Sequence, residues 1–516
     1  MDYRKSNLGY FNSGAADTYP NKTALIDLSG TKVTRITHRQ LSRRMTNVAS
    51  MLLNIGVKQG ERLLLGMGNR SEFIEIFFGS MRAGIIPIPL NIKLGAKTID
   101  FIIKDSGCRA AIIEPDCNEE LAEVIGNNKL QTLIALNPVP HGWLDYEHSL
   151  ETFAQKQFVP SEFNHGEIAF LPYTSGSTGL PKGVLLTHEG MLWGIKSSQK
   201  YWPSSHTDRA LVAGPLFHKN AMRVSIKPKL FVGGSAVILP HFEPKLMLNA
   251  LAKYKCTETG GVPAMYRMML AETKLLQELE FPYLRCLEMG SAVVGADLLK
   301  AVEKAFDAEV EEAYGLTEGG GPLRAPTDGR YTPRGSCGVP APGVAVKLVE
   351  DSGLESAKQG ELWVKSPAVL YAYNKRPDLT KERLSDGWLH TGDIFKRDDQ
   401  GFFYFMGRID DQFSCGGENI YPKEVELLLV QHPDIIDAVV IPIKHEVKGL
   451  APAALVTVRP KANIDEQAIK NFTLKHGAAY AHPRHVIFID KLPIGGTGKV
   501  DRQAVKLFIE EFLGSN

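Results

Sequence analysis

The sequence predicts an α/β protein in two parts. Residues 1–409 are expected to form a large N-terminal domain of mostly parallel sheets flanked by helices, and residues 410–516 a small α+β C-terminal domain. Three observations lead there. Runs with helical spacing alternate with short strand-like runs, a βα rhythm that gives parallel strands covered by helices. The chain has 516 residues, more than one hydrophobic core usually organises. Near Asp410 the rhythm gives way to one Pro-started helix and several short strands within about one hundred residues, a normal domain size.

The elements follow in order. Thr37 and Gln40 have the spacing of a capping box, and Leu41, Met45, Val48 and Leu52 then recur at helical spacing until Gly56. Residues 62–66 read as a strand. Phe73, Ile76 and Phe77 mark another helix, ended by Gly84 and followed by a strand over 85–89. The apolar run Ile168, Ala169, Phe170, Leu171 reads as a buried strand feeding a loop. In the C-terminal part a helix starts at Pro422, and strands are expected at 438–442, 454–458 and 486–489. There is no internal repeat and no low-complexity segment.

Composition excludes several classes. With 44% hydrophobic and 23% charged residues the chain is that of a soluble globular protein. A net charge of +1 gives no electrostatic case for nucleic acid or an anionic membrane. No apolar run approaches a transmembrane span, and the N-terminus lacks the apolar core of a signal peptide. Six scattered cysteines without a C-x-x-C pair fit a reduced compartment and argue against structural zinc. The final GSN is no peroxisomal address. A cytoplasmic protein is expected.

The loop at 173–184, YTSGSTGLPKGV, carries the most chemistry. Thr174, Ser175, Ser177, Thr178 and Lys182 are interleaved with Gly176, Gly179 and Gly183. Glycines let a backbone approach a ligand closely, and successive N–H groups form a concavity for anions. Hydroxyls add donors, and lysine adds charge without fixed geometry. A polyphosphate cradle, most simply for ATP, follows. It is not the Walker loop, because Lys182 is followed by Gly183. A Gly/Ser-rich surface linker is the bland alternative.

Four further motifs come after it in order: EAYGLTE at 312–318, TGD at 391–393, GRIDDQFSCGGENIYPKEVE at 407–426 and PIGGTGKVDR at 493–502. Together the five resemble the adenylate-forming superfamily of acyl-CoA synthetases, aryl-CoA ligases, luciferases and peptide-synthetase adenylation domains. The resemblance runs from about residue 20 to about residue 510. It implies two steps: a carboxylate attacks the α-phosphorus of ATP, then the thiol of coenzyme A attacks the acyl-adenylate. Both partners of the first step are anionic, so cations and donors are needed where charge gathers. Mg²⁺ is the natural ion.

By the same resemblance, Glu318 is the metal-associated glutamate and Thr317 contacts the α-phosphate. Thr178 and Lys182 serve the phosphates. Gly290, Ser291 and Ala292, with Glu312, Ala313, Tyr314 and Gly315, flank adenine. Asp393 takes the ribose hydroxyls, and Arg408 reaches ribose or phosphate. Lys499 enters the active site during adenylation, and Asp410 is the hinge that makes the C-terminal domain mobile. Gly416 and Gly417 line a pantetheine tunnel, and Lys448 falls where some relatives touch the CoA nucleotide. Cys415 is rejected as a nucleophile, since no general base is suggested nearby. The run ending in Gly498-Lys499 also resembles a site read by acetyltransferases, so regulatory acetylation of Lys499 is open, as is a homodimer.

The acyl pocket departs from common patterns. Pro215-Leu216-Phe217-His218 matches the family, with His218 as a gate beside the substrate carboxylate. Lys219, Arg223, Lys227 and Lys229 follow. They can meet an acidic substrate or form a solvated face. Lys219, Arg223 and Lys227 are four apart and share a helical face, and burying unpaired cations costs several kcal/mol each. A solvated stripe is therefore expected, with a pocket of His218, Met222, Gly261, Gly290 and Gly315 for an uncharged tail. The expected activity is an AMP-forming acyl-CoA synthetase acting on a small to medium organic acid, aliphatic or aromatic. A stand-alone adenylating enzyme loading a carrier protein, and a non-catalytic homologue, share most of these motifs.

Overall fold

The computed structural model describes residues 3–514 apart from 119, 155–158, 160–162, 164–165, 175–179, 291–295, 417, 461 and 496–499. Its largest sheet has nine strands. The central ones run parallel in the order Glu309–Leu316, Cys286–Gly290, Glu258–Gly261, Arg209–Val212, Ser235–Ile238 and Thr23–Asp27, with antiparallel strands at both ends. A five-stranded sheet, Ile86–Pro89, Arg62–Gly66, Ala110–Ile113, Thr132–Ala135 and Leu144–Asp145, is parallel throughout. The α/β expectation holds for both.

Local signals explain the elements. The capping box forms: Thr37 Oγ1 accepts from Gln40 N at 3.2 Å, and Gln40 Oε1 accepts from Thr37 N at 2.8 Å, starting the helix His38–Asn54. Leu41, Met45, Val48 and Leu52 are fully buried along its inner face. Helix Ser71–Arg82 packs on it through Phe73, Ile76 and Phe77. It ends before Gly84, whose φ of 72° suits the turn into the next strand.

One feature of the large part was not anticipated. A six-stranded antiparallel sheet holds Ala345–Val349, Gln359–Lys365, Trp388–Arg397 and Phe403–Arg408 among its strands. Asp393 and Arg408 are cross-strand partners in it.

After the 3₁₀ turn Ile409–Asp411 the chain enters a five-stranded sheet. There Ile435–His445 and Gly449–Val458 form a long hairpin, and His485–Phe488 adds in parallel. Helix Pro422–Leu429 begins at the proline, as expected. Val425, Leu429, Val440, Val456 and Ile469 make a hydrophobic cluster of this part's own. Cys415 lies in it, 1% exposed, which suits a packing role and not a nucleophile. Among the described residues no helix is long and apolar enough to cross a membrane.

Candidate active site

The strands on either side of the Gly/Ser loop pair with each other. Strand Tyr173–Thr174 pairs antiparallel with Lys182–Thr187, and Thr174 lies opposite Lys182. The hairpin base is pinned by Asp105, whose carboxylate accepts from Tyr173 Oη at 2.6 Å and Asn374 Nδ2 at 3.0 Å. The Thr174 hydroxyl is buried with no partner among the described residues. Ser175, Gly176, Ser177, Thr178 and Gly179 lie outside the described residues.

Lys182 leads toward the acidic group expected from the sequence. Its ammonium stands 5.7 Å from the centre of the Tyr373 ring. Tyr373 Oη in turn donates to Glu318 Oε1 at 3.3 Å. Burial lowers the Lys182 pKa, and the Glu318 charge opposes that shift. Arg383, Arg408 and Asp410 lie close enough to act on the same lysine.

Asp393 occupies the next position. It is 5% exposed, and burial pushes its carboxyl up to about 6. The Tyr314 hydroxyl donates to its Oδ2, and Arg408 Nη1 stands 3.7 Å from its Oδ1. Above that pH Asp393 is a carboxylate able to accept ribose hydroxyls. The Tyr314 ring packs edge-on against Phe395 at 4.8 Å and stacks near Phe405 at 6.4 Å, so part of it serves the core. Arg408 Nη2 is 3.6 Å from Asp410, and Arg383 Nη2 is 3.8 Å from it on the other side.

The remaining sequence-chosen residues line up at one edge of the large sheet. Gly261 ends strand Glu258–Gly261, and Gly290 ends its neighbour Cys286–Gly290, where it pairs with Ala313. Tyr314 and Gly315 are near the end of Glu309–Leu316. In open α/β sheets the carboxyl ends of parallel strands are where ligands bind. Gly315 has a plain reason to be glycine: a Cβ there would stand 2.8 Å from the Gly320 carbonyl oxygen. Glu312 points elsewhere, accepting from Gly335 N at 2.9 Å, and burial pushes its carboxyl up to about 7. Ser291 and Ala292 lie outside the described residues.

The basic run corrects the sequence reading. It forms one continuous helical stretch, Lys219–Ala221, then the π-helical Met222–Ile226, then Lys227–Phe231. The i→i+5 turn brings a four-residue spacing back onto one line, where 3.6 residues per turn would let it drift. That line is not solvated. Lys219 is 8% exposed, Lys227 5% and Lys229 1%. Each solves burial differently. Lys229 forms an ion pair with Glu258 and donates to Ser204 Oγ at 2.6 Å. Arg223 reaches Asn220 Oδ1 at 2.7 Å and Glu288 Oε1 at 3.0 Å. Lys219 Nζ donates to the Thr317 carbonyl at 2.6 Å. The cost of burying cations, which argued for a solvated stripe, is here partly met by polar partners.

Lys219, Arg223 and Lys227 face a cavity of about 520 Å³, its open mouth included. Trp193, Tyr201 and Gly321 also border it. His218, Met222, Gly261, Gly290 and Gly315, chosen as a pocket from sequence, do not line it. Met222 instead packs in the main core, 4% exposed. His218 caps the basic helix, its Nδ1 accepting from Asn220 N at 3.3 Å.

In the C-terminal part Gly416 N donates to the Lys448 carbonyl at 3.1 Å, so these two candidates are neighbours. Gly417 and Lys499 lie outside the described residues. Arg267 joins the two parts: its Nη1 is 2.7 Å from Asp437 Oδ2, and its Nη2 donates to the Ile436 carbonyl at 3.2 Å.

Residues 13–374 match the AMP-binding enzyme family, and residues 424–499 match the AMP-binding enzyme C-terminal domain. The chain belongs to the AMP-binding enzyme family. It is 32% identical over 478 residues to a feruloyl-CoA synthase of an Amycolatopsis species, covering 92% of this chain and 94% of that one. It is 30% identical over 528 residues to a long-chain-fatty-acid–CoA ligase of Salmonella typhimurium, covering 95% and 92%. Among solved structures, the anthranilate CoA ligase AuaEII in complex with anthranoyl-AMP aligns with a TM-score of 0.88 at 25% identity, over 97% of this chain and 96% of that one. For an AMP-binding enzyme, sequence reasoning missed Tyr373 and Arg383, which touch Glu318 and Asp410. It also missed the Glu288–Arg324 pair behind Arg223. Nothing in their local sequence marks them, because their partners come from distant segments.

Proposed function

We propose that this chain is an ATP-dependent acyl-CoA synthetase that activates a small carboxylic acid as its acyl-adenylate and passes the acyl group to coenzyme A, releasing AMP and pyrophosphate. One observation carries the reading. Lys182, Glu318 and the cross-strand pair Asp393 and Arg408, from three separate stretches of sequence, form one charge cluster beside the hairpin that carries Lys182. The feruloyl-CoA and long-chain-fatty-acid–CoA ligases to which the chain is similar support the same chemistry.

In this reading the hairpin loop and Lys182 hold the triphosphate, and Asp393 with Arg408 holds the ribose. Tyr373 orients Glu318. Among the described residues no three metal-ligating side chains form a cluster. A lone carboxylate nevertheless fits Mg²⁺, which takes most of its ligands from water and phosphate oxygens. Glu318 would hold it, and the ion would neutralise charge gathering on the phosphates. Lys499 would bridge the substrate carboxylate and the α-phosphate. The boundary at Asp410 would let the C-terminal domain turn, presenting Gly416, Gly417 and Lys448 to coenzyme A. A cytoplasmic location and a role for Lys499 acetylation belong to the same proposal.

The test is acid-dependent pyrophosphate exchange, followed by CoA-dependent thioester formation. Exchange without any CoA dependence would point to carrier-protein loading. Gly417→Leu is expected to leave exchange within about threefold while lowering thioester formation at least about tenfold, because a branched side chain obstructs a thin thiol. Equal losses in the two assays, in a variant whose thermal unfolding is unchanged, would refute the tunnel.

A further inference from the structure

We propose that the acid activated by this protein is a dicarboxylate, whose distal carboxylate is held by Lys219, Arg223 and Lys227 in the cavity beside the Thr317 carbonyl. The proposal rests on the ligase reading above and adds the substrate class to it.

The charge count around the cavity is unbalanced. Three cationic side chains line it. Glu288 puts one carboxylate beside them, its Oε1 shared between Arg223 at 3.0 Å and Arg324 at 3.2 Å, and the Glu318 charge acts on Lys219. Glu311 lies near Arg223, but burial pushes its carboxyl up to about 8, so it is largely neutral at pH 7. Among the described residues no side chain or carbonyl bonds to the Lys227 ammonium, although the residue is 5% exposed. Burial pulls both Lys219 and Lys227 down to about 7. Lys229, two residues on in the same stretch and facing another side, shows the contrast: it has Glu258. Lys227 points its charge into space that a ligand enters.

Geometry restricts which anion this is. None of the described residues of the hairpin lines the cavity, and Gly319, Gly320 and Gly321, just past Glu318, do. One end of the cavity is fixed by Lys219 on Thr317, next to Glu318. A substrate carboxylate reacting near Glu318 would thus have its far end among the cations. Met191, Ile195 and Val344 supply apolar wall for a short spacer. An uncharged tail would hold Lys219 and Lys227 in their neutral form against hydrocarbon, whereas a carboxylate between them would keep them charged and paired.

The experiment pairs monoacids with dicarboxylates of matched length, aliphatic and aromatic, and measures kcat/KM for acyl-CoA formation by wild type, Lys227→Met and Lys227→Arg. Wild type is expected to favour the dicarboxylate. Lys227→Met should cut the dicarboxylate-to-monoacid ratio about a hundredfold, the loss expected for one partner of a desolvated charge pair. Lys227→Arg should restore most of that ratio. Lys227→Met should also raise the Tm of the ligand-free protein, by about 2 °C, since it removes a buried amine that has no bonding partner among the described residues. Calorimetric titration of wild type with the dicarboxylate, beside a non-hydrolysable ATP analogue, separates two kinds of failure. Binding that Lys227→Met abolishes, without turnover of any acid, would uphold this pocket and defeat the ligase reading. Turnover of monoacids with no dicarboxylate binding, a ratio unmoved by Lys227→Met, or a lowered Tm in that variant would overturn the pocket and leave the ligase reading intact.

Discussion

Lys499→Ala is expected to lower adenylate formation about a hundredfold to a thousandfold, the usual cost of losing one group that stabilises developing charge. It should change transfer from a supplied acyl-adenylate to coenzyme A by less than about threefold. Lys499 is itself outside the described residues, but what flanks it is well anchored. Ile494 and Val500 form a β-bridge, and Asp501 N donates to the Pro493 carbonyl at 2.9 Å. Three residues beyond Lys499, Arg502 holds Glu426 at 2.5 Å and the Val440 carbonyl at 2.9 Å. In the proposed function Lys499 would reach the active site in one domain orientation only. Lys499→Gln, which removes the charge as acetylation does, should match the alanine variant. The two half-reactions are read separately, as pyrophosphate exchange and as thioester formed from synthetic adenylate. Equal losses in both would remove Lys499 from the adenylation step.

The second large effect is expected from Asp410→Pro. Proline fixes φ, and a rotating hinge must change its backbone angles. It also biases Ile409 away from helical angles, although Ile409–Asp411 is a 3₁₀ turn here. Thioester formation should fall about a hundredfold, while adenylation survives better. The carboxylate itself contributes little. Its distances of 3.6 Å to Arg408 and 3.8 Å to Arg383 are those of loose, partly solvated pairs, worth about 0–1 kcal/mol. Asp410→Asn should therefore leave both half-reactions within about threefold. Comparing the two variants isolates backbone freedom from charge. Unchanged overall turnover in Asp410→Pro would place the hinge elsewhere, with the Arg267–Asp437 pair marking the contact that must break.

Elements whose cause is local were legible in the sequence. The capping box at Thr37, the strand Arg62–Gly66 and the Pro-started helix at Pro422 each depend on neighbouring residues alone, and each forms where expected. The motifs around Lys182, Glu318, Asp393 and Arg408 were legible as a set, because their order along the chain is distinctive. Their geometry was not: the pairing of Asp393 with Arg408 comes from an antiparallel sheet that the βα rhythm conceals. The basic run shows the clearest limit. Spacing placed Lys219, Arg223 and Lys227 on one line, which the structure keeps by a π-helical turn. Which way the line faces was decided by Glu288, Glu258 and the Thr317 carbonyl. These partners lie about thirty to one hundred residues away, and a rule about the average cost of buried charge gives the wrong side. Tyr373 was missed for the same reason, since it reaches Glu318 only through tertiary contact.

The central claim is that an acid drives ATP to AMP through an acyl-adenylate that coenzyme A then consumes. The measurement is chromatographic: ATP, Mg²⁺ and a panel of mono- and dicarboxylic acids, with and without coenzyme A, following AMP, ADP, pyrophosphate and thioester together. The account predicts AMP and pyrophosphate formed in equal amounts with a matching quantity of acyl-CoA, only when both an acid and coenzyme A are present for repeated turnover. ADP and phosphate as products, or AMP release that no acid in the panel stimulates, would contradict it.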